Sequence, residues 1–142
     1  MSPIVKAPSA MQLAGLLGVI AISSAGCSKQ PANTGIVRFD DGQPVQSGSI
    51  EFRNRSNGDA FASRVAPDGN FALADKDGQP SFPPGNYEVV VVQIVLTEDL
   101  AADEHQHGRT VPRRYADYYT SGLRFTNDAN RSEPIRIELE SN

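Results

Sequence analysis

The sequence predicts an all-β fold arranged as a two-sheet sandwich, and three observations carry this prediction. Short segments alternate apolar and polar residues with the period of two that half-buried strands require; in residues 49–54, Ile50 and Phe52 alternate with Glu51 and Arg53. Asp-Gly dipeptides, which favour tight turns, separate such segments at positions 41–42, 68–69 and 77–78. No segment carries a sustained helical stripe, so helix is expected to be minor.

About seven short strands are predicted, the number typical of an antiparallel sandwich. In chain order they are residues 35–39, 49–54, 60–65, 70–73, 86–96, 123–126 and 135–140. The segment 86–96 is apolar at both alternating positions and rich in β-branched residues, so the strand from Tyr87 to Leu96 is expected at the centre of a sheet. The range 97–122 is the longest stretch without a strand pattern, a length typical of a functional loop or of one ordered by its own turns.

The N-terminus has the features of a secretory signal peptide. One positive charge, Lys6, precedes an uncharged and largely apolar run at residues 11–22, and small residues follow up to Cys27. The run is too short to span a bilayer, which takes roughly 20 residues. A cleavage site followed directly by cysteine resembles the bacterial lipobox, although Ser24 stands where that pattern usually has Leu. The resemblance implies that residues 1–26 are removed and that the Cys27 thiol carries lipid, with palmitate-type acylation of the new amine.

This interpretation divides the chain into three parts and locates it. Residues 1–26 are the lipoprotein signal peptide, 27–34 are the acylated cysteine and a flexible tether containing Pro31, and 35–142 are the folded domain. The expected location is the bacterial cell envelope, lipid-anchored, at the outer membrane or facing the periplasm. The alternatives are an ordinary secreted protein with an incidental cysteine and an uncleaved anchor.

Composition excludes several other classes. The formal net charge is −4 and the Lys and Arg residues are scattered among more numerous acids, so nucleic acid is not expected as a partner. A single cysteine excludes both an intramolecular disulfide and a cysteine-based zinc cluster. The membrane, through the lipid anchor, is the partner that the sequence indicates directly.

Five ordered motifs resemble a family of small bacterial lipoproteins with a carboxypeptidase-regulatory-like, transthyretin-like domain. The motifs are TGIVRFDDGQPVQSGSIEFRN, APDGNFAL, PPGNYEVVV, VPRRYADYYTSGL and the closing IRIELE. The first departs from the usual pattern, because VRF replaces a run of the V-T-L type. The resemblance implies a prealbumin-like, seven-stranded antiparallel sandwich on a lipid anchor, and it implies no catalytic activity.

Candidate sites for chemistry are few. His105 and His107 would point to the same side of an extended segment and, with Asp103 or Glu104, form the best candidate for zinc or copper. Their spacing supplies no third ligand elsewhere, so no metal and no other cofactor is assigned. The DKDG segment at 75–78 lacks the long calcium-loop pattern and is interpreted as a turn. No serine lies in a Gly-x-Ser-x-Gly elbow, so no catalytic residue is named.

The segment VPRRYADYYTSGL is interpreted as a structural clasp that holds the long connection onto the sandwich. Tyr115 and Tyr119 are four residues apart, so one helical turn would place both rings over the open end of the core. Arg114 and Asp117, with Arg113, would face solvent or pair locally. The competing interpretation makes these tyrosines and arginines an exposed recognition surface, since both residue types are enriched at binding hot spots.

Two functions are therefore carried forward. The first is a membrane-anchored, non-catalytic module that binds or scaffolds an envelope protein or polysaccharide. The alternative is a metal-handling periplasmic lipoprotein that uses His105 and His107.

The first testable prediction concerns lipidation. Replacing Cys27 with Ala should move the protein from the detergent phase to the aqueous phase of a Triton X-114 partition, because the acyl chains are lost with the thiol that begins the mature chain. Equal partition of the two forms would end the lipoprotein interpretation.

Overall fold

A computed structural model describes residues 32–94 and 108–141, and these form a β-rich domain with very little helix. The strands are β1 (Thr34–Phe39), β2 (Ser49–Asn54), β3 (Ala60–Arg64), β4 (Asn70–Ala72), β5 (Gly85–Val92), β6 (Leu123–Asn127) and β7 (Ile135–Leu139). A short 3-10 helix (Arg113–Ala116) and a one-turn helix α1 (Tyr118–Ser121) lie between β5 and β6. Within these residues no helix is long and apolar enough to cross a membrane.

The strands form two sheets, which confirms the predicted β-sandwich character. One sheet has three strands in the order β4-β1-β7, and the other has four in the order β3-β2-β5-β6. Alternation decides which residues face inward: in β7, Ile135, Ile137 and Leu139 are buried, whereas the intervening Arg136 and Glu138 are exposed. The two inner faces pack against each other to form one core.

One strand pair departs from the predicted antiparallel arrangement, because β1 and β7 are parallel. Gly35 pairs with Ile135 and Phe39 with Leu139, in the same direction. A parallel pair needs a long crossover connection, and here nearly the whole domain lies between the two strands. The chain leaves β6 in one sheet and enters β7 in the other at the end where β1 begins, so β7 has to run alongside β1.

Strand β5 occupies an interior position in its sheet, between β2 and β6. Its inner positions Tyr87, Val89 and Val91 are buried, and the outward-facing Val90 is buried as well. The 3-10 helix and α1 both lie close to β5, and Tyr118 of α1 contacts Glu51, the residue opposite Val90, on the outer surface of the sheet. The strand ends at Val92, earlier than the predicted Leu96; residues 95 and 96 lie outside the described residues.

Aromatic rings fill the core at its centre. The Phe52 ring lies in edge-to-face contact with three others, at centroid separations of 5.2 Å to Phe82, 5.9 Å to Phe125 and 6.3 Å to Tyr87. The Tyr87 hydroxyl donates a 2.6 Å hydrogen bond to the Pro83 carbonyl, which satisfies the polar end of a buried ring. Burial raises the pKa of this hydroxyl above its ordinary value.

The Asp-Gly dipeptides form turns as predicted. Gly42, Gly69 and Gly78 all have positive φ, a backbone region that glycine adopts without steric cost. At the second of these turns the Asp68 carboxylate accepts the backbone N–H of Asn70 at 3.0 Å, which is the local bond that favours aspartate there.

The sandwich has two distinct ends. At the tether end, where residues 32–34 lead into β1, the Arg131 guanidinium donates to the Ala32 carbonyl and Asn127 donates to the Phe82 carbonyl. The cleft end is built from residues 39–48, 92–94, 108–113 and 139–141. Hydrogen bonds join these segments: the Asp40 N–H donates to the Leu139 carbonyl at 2.9 Å, and the Gln93 amide donates to Ser47 at 3.0 Å.

The second prediction tests the core position of β5. Val91→Asp should prevent folding, because Val91 is only 1% exposed and an unpaired charge in a dry core costs several kcal/mol against a total stability of about 5–15 kcal/mol. Val92→Asp is the matched control, since Val92 is the next residue of the strand, faces outward and is only half-buried. Near-parental melting and circular dichroism of Val91→Asp would contradict the assignment of this strand to the core.

Candidate functional site

The clasp segment, residues 111–123, contains two short helical turns that are separated by the extended Asp117. Pro112 is extended, with ψ of 134°, and the 3-10 helix follows it directly. Asp117 is again extended, with φ of −130°, and separates this helix from α1. Gly122 ends α1 in the left-handed conformation with φ of 66°, which turns the chain sharply into β6.

Tyr115 lies inside the domain, and its ring is part of the hydrophobic core together with Val111. Only 3% of Tyr115 is exposed. Its hydroxyl oxygen accepts two hydrogen bonds, one from the Glu140 backbone N–H at 2.9 Å and one from the Arg114 guanidinium at 2.9 Å. This residue therefore joins the clasp segment to the residue that follows β7.

Arg114 covers Tyr115 on its outer side. Its guanidinium carbon lies 4.8 Å from the centroid of the tyrosine ring, and a terminal nitrogen lies 3.1 Å from a Glu140 carboxylate oxygen. The hydrogen bond with Tyr115 is the main cause of a raised Arg114 pKa. Arg114 thus pairs locally, at the surface, where an ion pair contributes little to stability.

Asp117 acts as the N-cap of α1. Its carboxylate accepts the Tyr119 backbone N–H at 2.7 Å, and its carbonyl accepts the N–H groups of Thr120 and Ser121. A capping carboxylate satisfies donors that the first turn of a helix would leave unpaired. The role of Asp117 is therefore local, and it orients the two residues that follow it.

Tyr119 does not cover the core, so the expectation that it shares a face with Tyr115 is wrong. Tyr119 is 98% exposed. Two tyrosines four residues apart share a face only within one continuous helix. Here the extended Asp117 interrupts the helix between Tyr115 and Tyr119. The ring is left on the surface, where it is available to a partner.

Tyr118 is the residue that sequence reasoning missed. Its hydroxyl donates to a Glu51 carboxylate oxygen at 2.7 Å, and the Arg53 guanidinium lies 3.8 Å from the centroid of its ring. Burial is the main cause of a raised Tyr118 pKa. The sequence does contain a signal for such a contact, because the outward-facing Val90 of β5 is apolar. Val90 lies opposite Glu51 in the register, so a side chain from outside the sheet has to cover this region.

A cleft of about 750 Å³ opens at the cleft end. Its lining consists of Phe39, Asp41, residues 109–113 and Ser141. Arg109 spans it: one terminal nitrogen contacts Asp41 at 2.6 Å, the other donates to the Ser141 hydroxyl at 3.1 Å, and the guanidinium carbon lies 4.9 Å from the centroid of the Phe39 ring. The backbone N–H of Gln43, followed by Arg109, holds the pKa of Asp41 below its ordinary value.

Arg113 is a second arginine that lines this cleft. It is exposed, and among the described residues it forms no ion pair and no side-chain hydrogen bond. A guanidinium presents five N–H donors in a planar fork, which suits carboxylates, phosphates and hydroxyl-rich surfaces. Among the described residues the cleft therefore combines Arg109, held by Asp41 and Ser141, with the unpaired Arg113 and several apolar side chains. These groups suit recognition of a partner.

The remaining sequence-predicted sites lie outside the described residues. These are Cys27 and the candidate metal ligands His105 and His107. Within residues 32–94 and 108–141, no group of three or more His, Cys, Asp or Glu side chains is placed to hold a metal ion.

Comparisons with protein-family models, curated proteins and solved structures gave no match for this chain. The resemblance to the carboxypeptidase-regulatory-like lipoproteins thus remains a prediction from the motifs.

The third prediction separates Tyr115 from Tyr119. Tyr115→Ala should lower the free energy of unfolding by about 3–5 kcal/mol, the scale for a buried aromatic ring, whereas Tyr119→Ala, the control, should change it by less than about 0.5 kcal/mol. Tyr115→Phe should lie between them, with a loss of about 1–2 kcal/mol for the two hydrogen bonds to its hydroxyl. Chemical denaturation measures all three, and a Tyr115→Ala protein as stable as the parent would exclude the clasp.

Proposed function

We propose that this protein is a membrane-anchored, non-catalytic lipoprotein whose seven-stranded, transthyretin-like domain binds an envelope protein or polysaccharide. The proposed anchor is lipid on Cys27, and the proposed binding site is the cleft around Arg109 and Arg113. Motif resemblance supports the domain type, and the order of signal peptide, cysteine and tether supports the anchor.

The observation that carries this proposal is the separation of the tether and the cleft. Residues 32–34 enter β1 at one end, whereas Phe39 and Asp41, at and beyond the other end of the same strand, line the cleft. The six residues of β1 rise about 17 Å from first to last, at about 3.3 Å per residue. Asn33 is hydrogen-bonded to Leu73 and Thr34 begins β1, so the predicted tether of residues 27–34 is shorter by these two residues and joins the domain at the end opposite the cleft.

The composition of the cleft favours binding over catalysis. The Arg109 guanidinium donates hydrogen bonds to both Asp41 and Ser141, and the Ser141 hydroxyl also donates to the Asp40 carboxylate. Side chains that are hydrogen-bonded to each other in this way fix the shape of the cleft and do not serve to exchange protons with a substrate. Arg113 is exposed in the cleft, and arginine is enriched among the residues that dominate recognition surfaces.

The fourth prediction tests the binding site by photo-crosslinking in intact cells. A benzoylphenylalanine at Thr110 should give a discrete adduct with an envelope component, because Thr110 is exposed and lines the cleft, and its replacement leaves Arg109 and Arg113 in place. The same probe at Ser132, an exposed residue of the tether end, is the matched control and should give none. Adducts that form only at position 132 would show that the partner binds at the opposite end.

A further inference from the structure

One broad face of the domain carries a concentration of arginines. The outward positions of the four-stranded sheet alternate with the buried ones, and they include Ala62 on β3, Glu51 on β2 and Glu88 on β5. We call this surface the arginine face, and its cationic residues are Arg53, Arg55, Arg64 and Arg124.

Three of these arginines converge on one carboxylate. Glu88 lies directly opposite Arg53 on one neighbouring strand and Arg124 on the other. Its oxygens contact Arg53 at 2.8 Å, Arg124 at hydrogen-bond distance and Arg55 at 3.9 Å. Hydrogen bonds from Arg53 and then Arg124 hold the pKa of Glu88 below its ordinary value. One carboxylate has two oxygens and cannot accept hydrogen bonds from all the N–H donors of three guanidiniums, so these arginines retain donor capacity for another anion.

The charge of this face is opposite to that of the whole chain. Four arginines and two glutamates, Glu51 and Glu88, give a formal charge of +2 (four minus two), whereas the chain as a whole has −4. A local patch of this sign attracts an anionic surface even when the molecule as a whole is acidic.

Exposed apolar side chains border the same face. Among the described residues the two exposed large hydrophobic residues are Ile94, which is 77% exposed, and Tyr119. Ile94 follows β5 and shares a shallow depression with Arg64 and Val92. Tyr119 belongs to α1, next to the Tyr118 that stacks on Arg53. Arginines with interspersed aliphatic and aromatic side chains suit the boundary between lipid headgroups and acyl chains.

The point at which the tether meets the domain lies near β6, the edge strand that carries Arg124. The Arg131 guanidinium donates to the Ala32 carbonyl and lies 5.6 Å from the centroid of the Phe125 ring, and Phe125 is the neighbour of Arg124 on β6. Ala32 lies only five positions after Cys27, and five Cα-to-Cα steps span at most about 18 Å even when fully extended. A lipid on Cys27 would therefore hold this edge of the face close to the bilayer.

We propose that the arginine face docks on the anionic phospholipid surface of the membrane that holds the lipid anchor. This inference rests on the proposed lipidation of Cys27. Docking lays the domain along the membrane, with the cleft at its far end and level with the headgroups. The short tether and the exposed Ile94 and Tyr119 favour a bilayer over a soluble polyanion, which charge alone would attract equally.

The experiment measures the distance of each sheet from the bilayer in the acylated full-length product. A fluorophore is attached to Ala62→Cys on the arginine face or to Ala72→Cys on the three-stranded sheet; both alanines are exposed and lie on edge strands. The protein is reconstituted into vesicles of phosphatidylcholine, with or without phosphatidylglycerol, that contain a headgroup spin-label quencher. We expect the label at position 62 to be quenched and the label at position 72 not to be quenched. The quenching at position 62 should require phosphatidylglycerol, and high salt should reverse it.

A charge-matched pair of double variants assigns the effect to the face. Arg55→Gln/Arg64→Gln should lower the ratio of docked to undocked protein about 25-fold, since each arginine near an anionic bilayer contributes about fivefold. These two arginines are chosen because Arg55 contacts Glu88 only at 3.9 Å and Arg64 forms no ion pair among the described residues, so folding should be retained, as melting will check. Arg38→Gln/Arg136→Gln removes the same charge from the opposite sheet and should leave quenching unchanged.

The outcomes separate this inference from the proposed function. Protein that enters the detergent phase of a Triton X-114 partition, but is quenched equally at positions 62 and 72, retains the anchor and overturns the docking. Protein that stays in the aqueous phase overturns both. A label response to soluble dextran sulfate on neutral vesicles, without a response to phosphatidylglycerol, would also overturn membrane docking and assign the face to a free polyanion.

Discussion

The burial of both faces of β5 is the constraint on which the rest of this structure depends. The inner positions Tyr87, Val89 and Val91 need an opposing sheet, and the outward Val90 needs a cover from outside. The three-stranded sheet supplies the first, and Tyr118 of α1 lies on the outer surface against Glu51, the residue opposite Val90. A segment without strand pattern is therefore ordered because it removes apolar surface from water, the dominant favourable term in folding.

This requirement also explains why two tyrosines three residues apart have different roles. Tyr115 enters the core and accepts hydrogen bonds from Glu140 and Arg114, whereas Tyr118 lies on the outer sheet surface against Arg53 and Glu51. The extended residue between the two helical turns makes both placements possible. The clasp segment thus holds the sandwich together at its cleft end while it leaves Tyr119 at the surface.

In this proposal, the function depends on where the tether, the cleft and the arginine face lie on the domain. The tether joins one end, the cleft with Arg109 and Arg113 occupies the other, and the arginine face runs between them. A domain docked through that face would hold its cleft at the level of the lipid headgroups. Orientation by charge and a short tether would then restrict which envelope partners can reach Arg113.

The sequence by itself determined the features that depend on neighbours along the chain. Alternation placed Ile50 and Phe52 inside and Glu51 and Arg53 outside, and each Asp-Gly pair predicted a turn that the backbone adopts at Gly42, Gly69 and Gly78. These features are short-range, because strand pleating and turn conformation depend on residues a few positions apart.

Only the tertiary structure decided the arrangements that join distant segments. The parallel pairing of β1 with β7, the choice of Tyr118 over Tyr119 as a cover, and the convergence of Arg53, Arg55 and Arg124 on Glu88 are examples. Each depends on which strands become neighbours and on where one residue, Asp117, interrupts a helix. Periodicity cannot specify these contacts, since it reports which side of a strand is buried and not what lies against it.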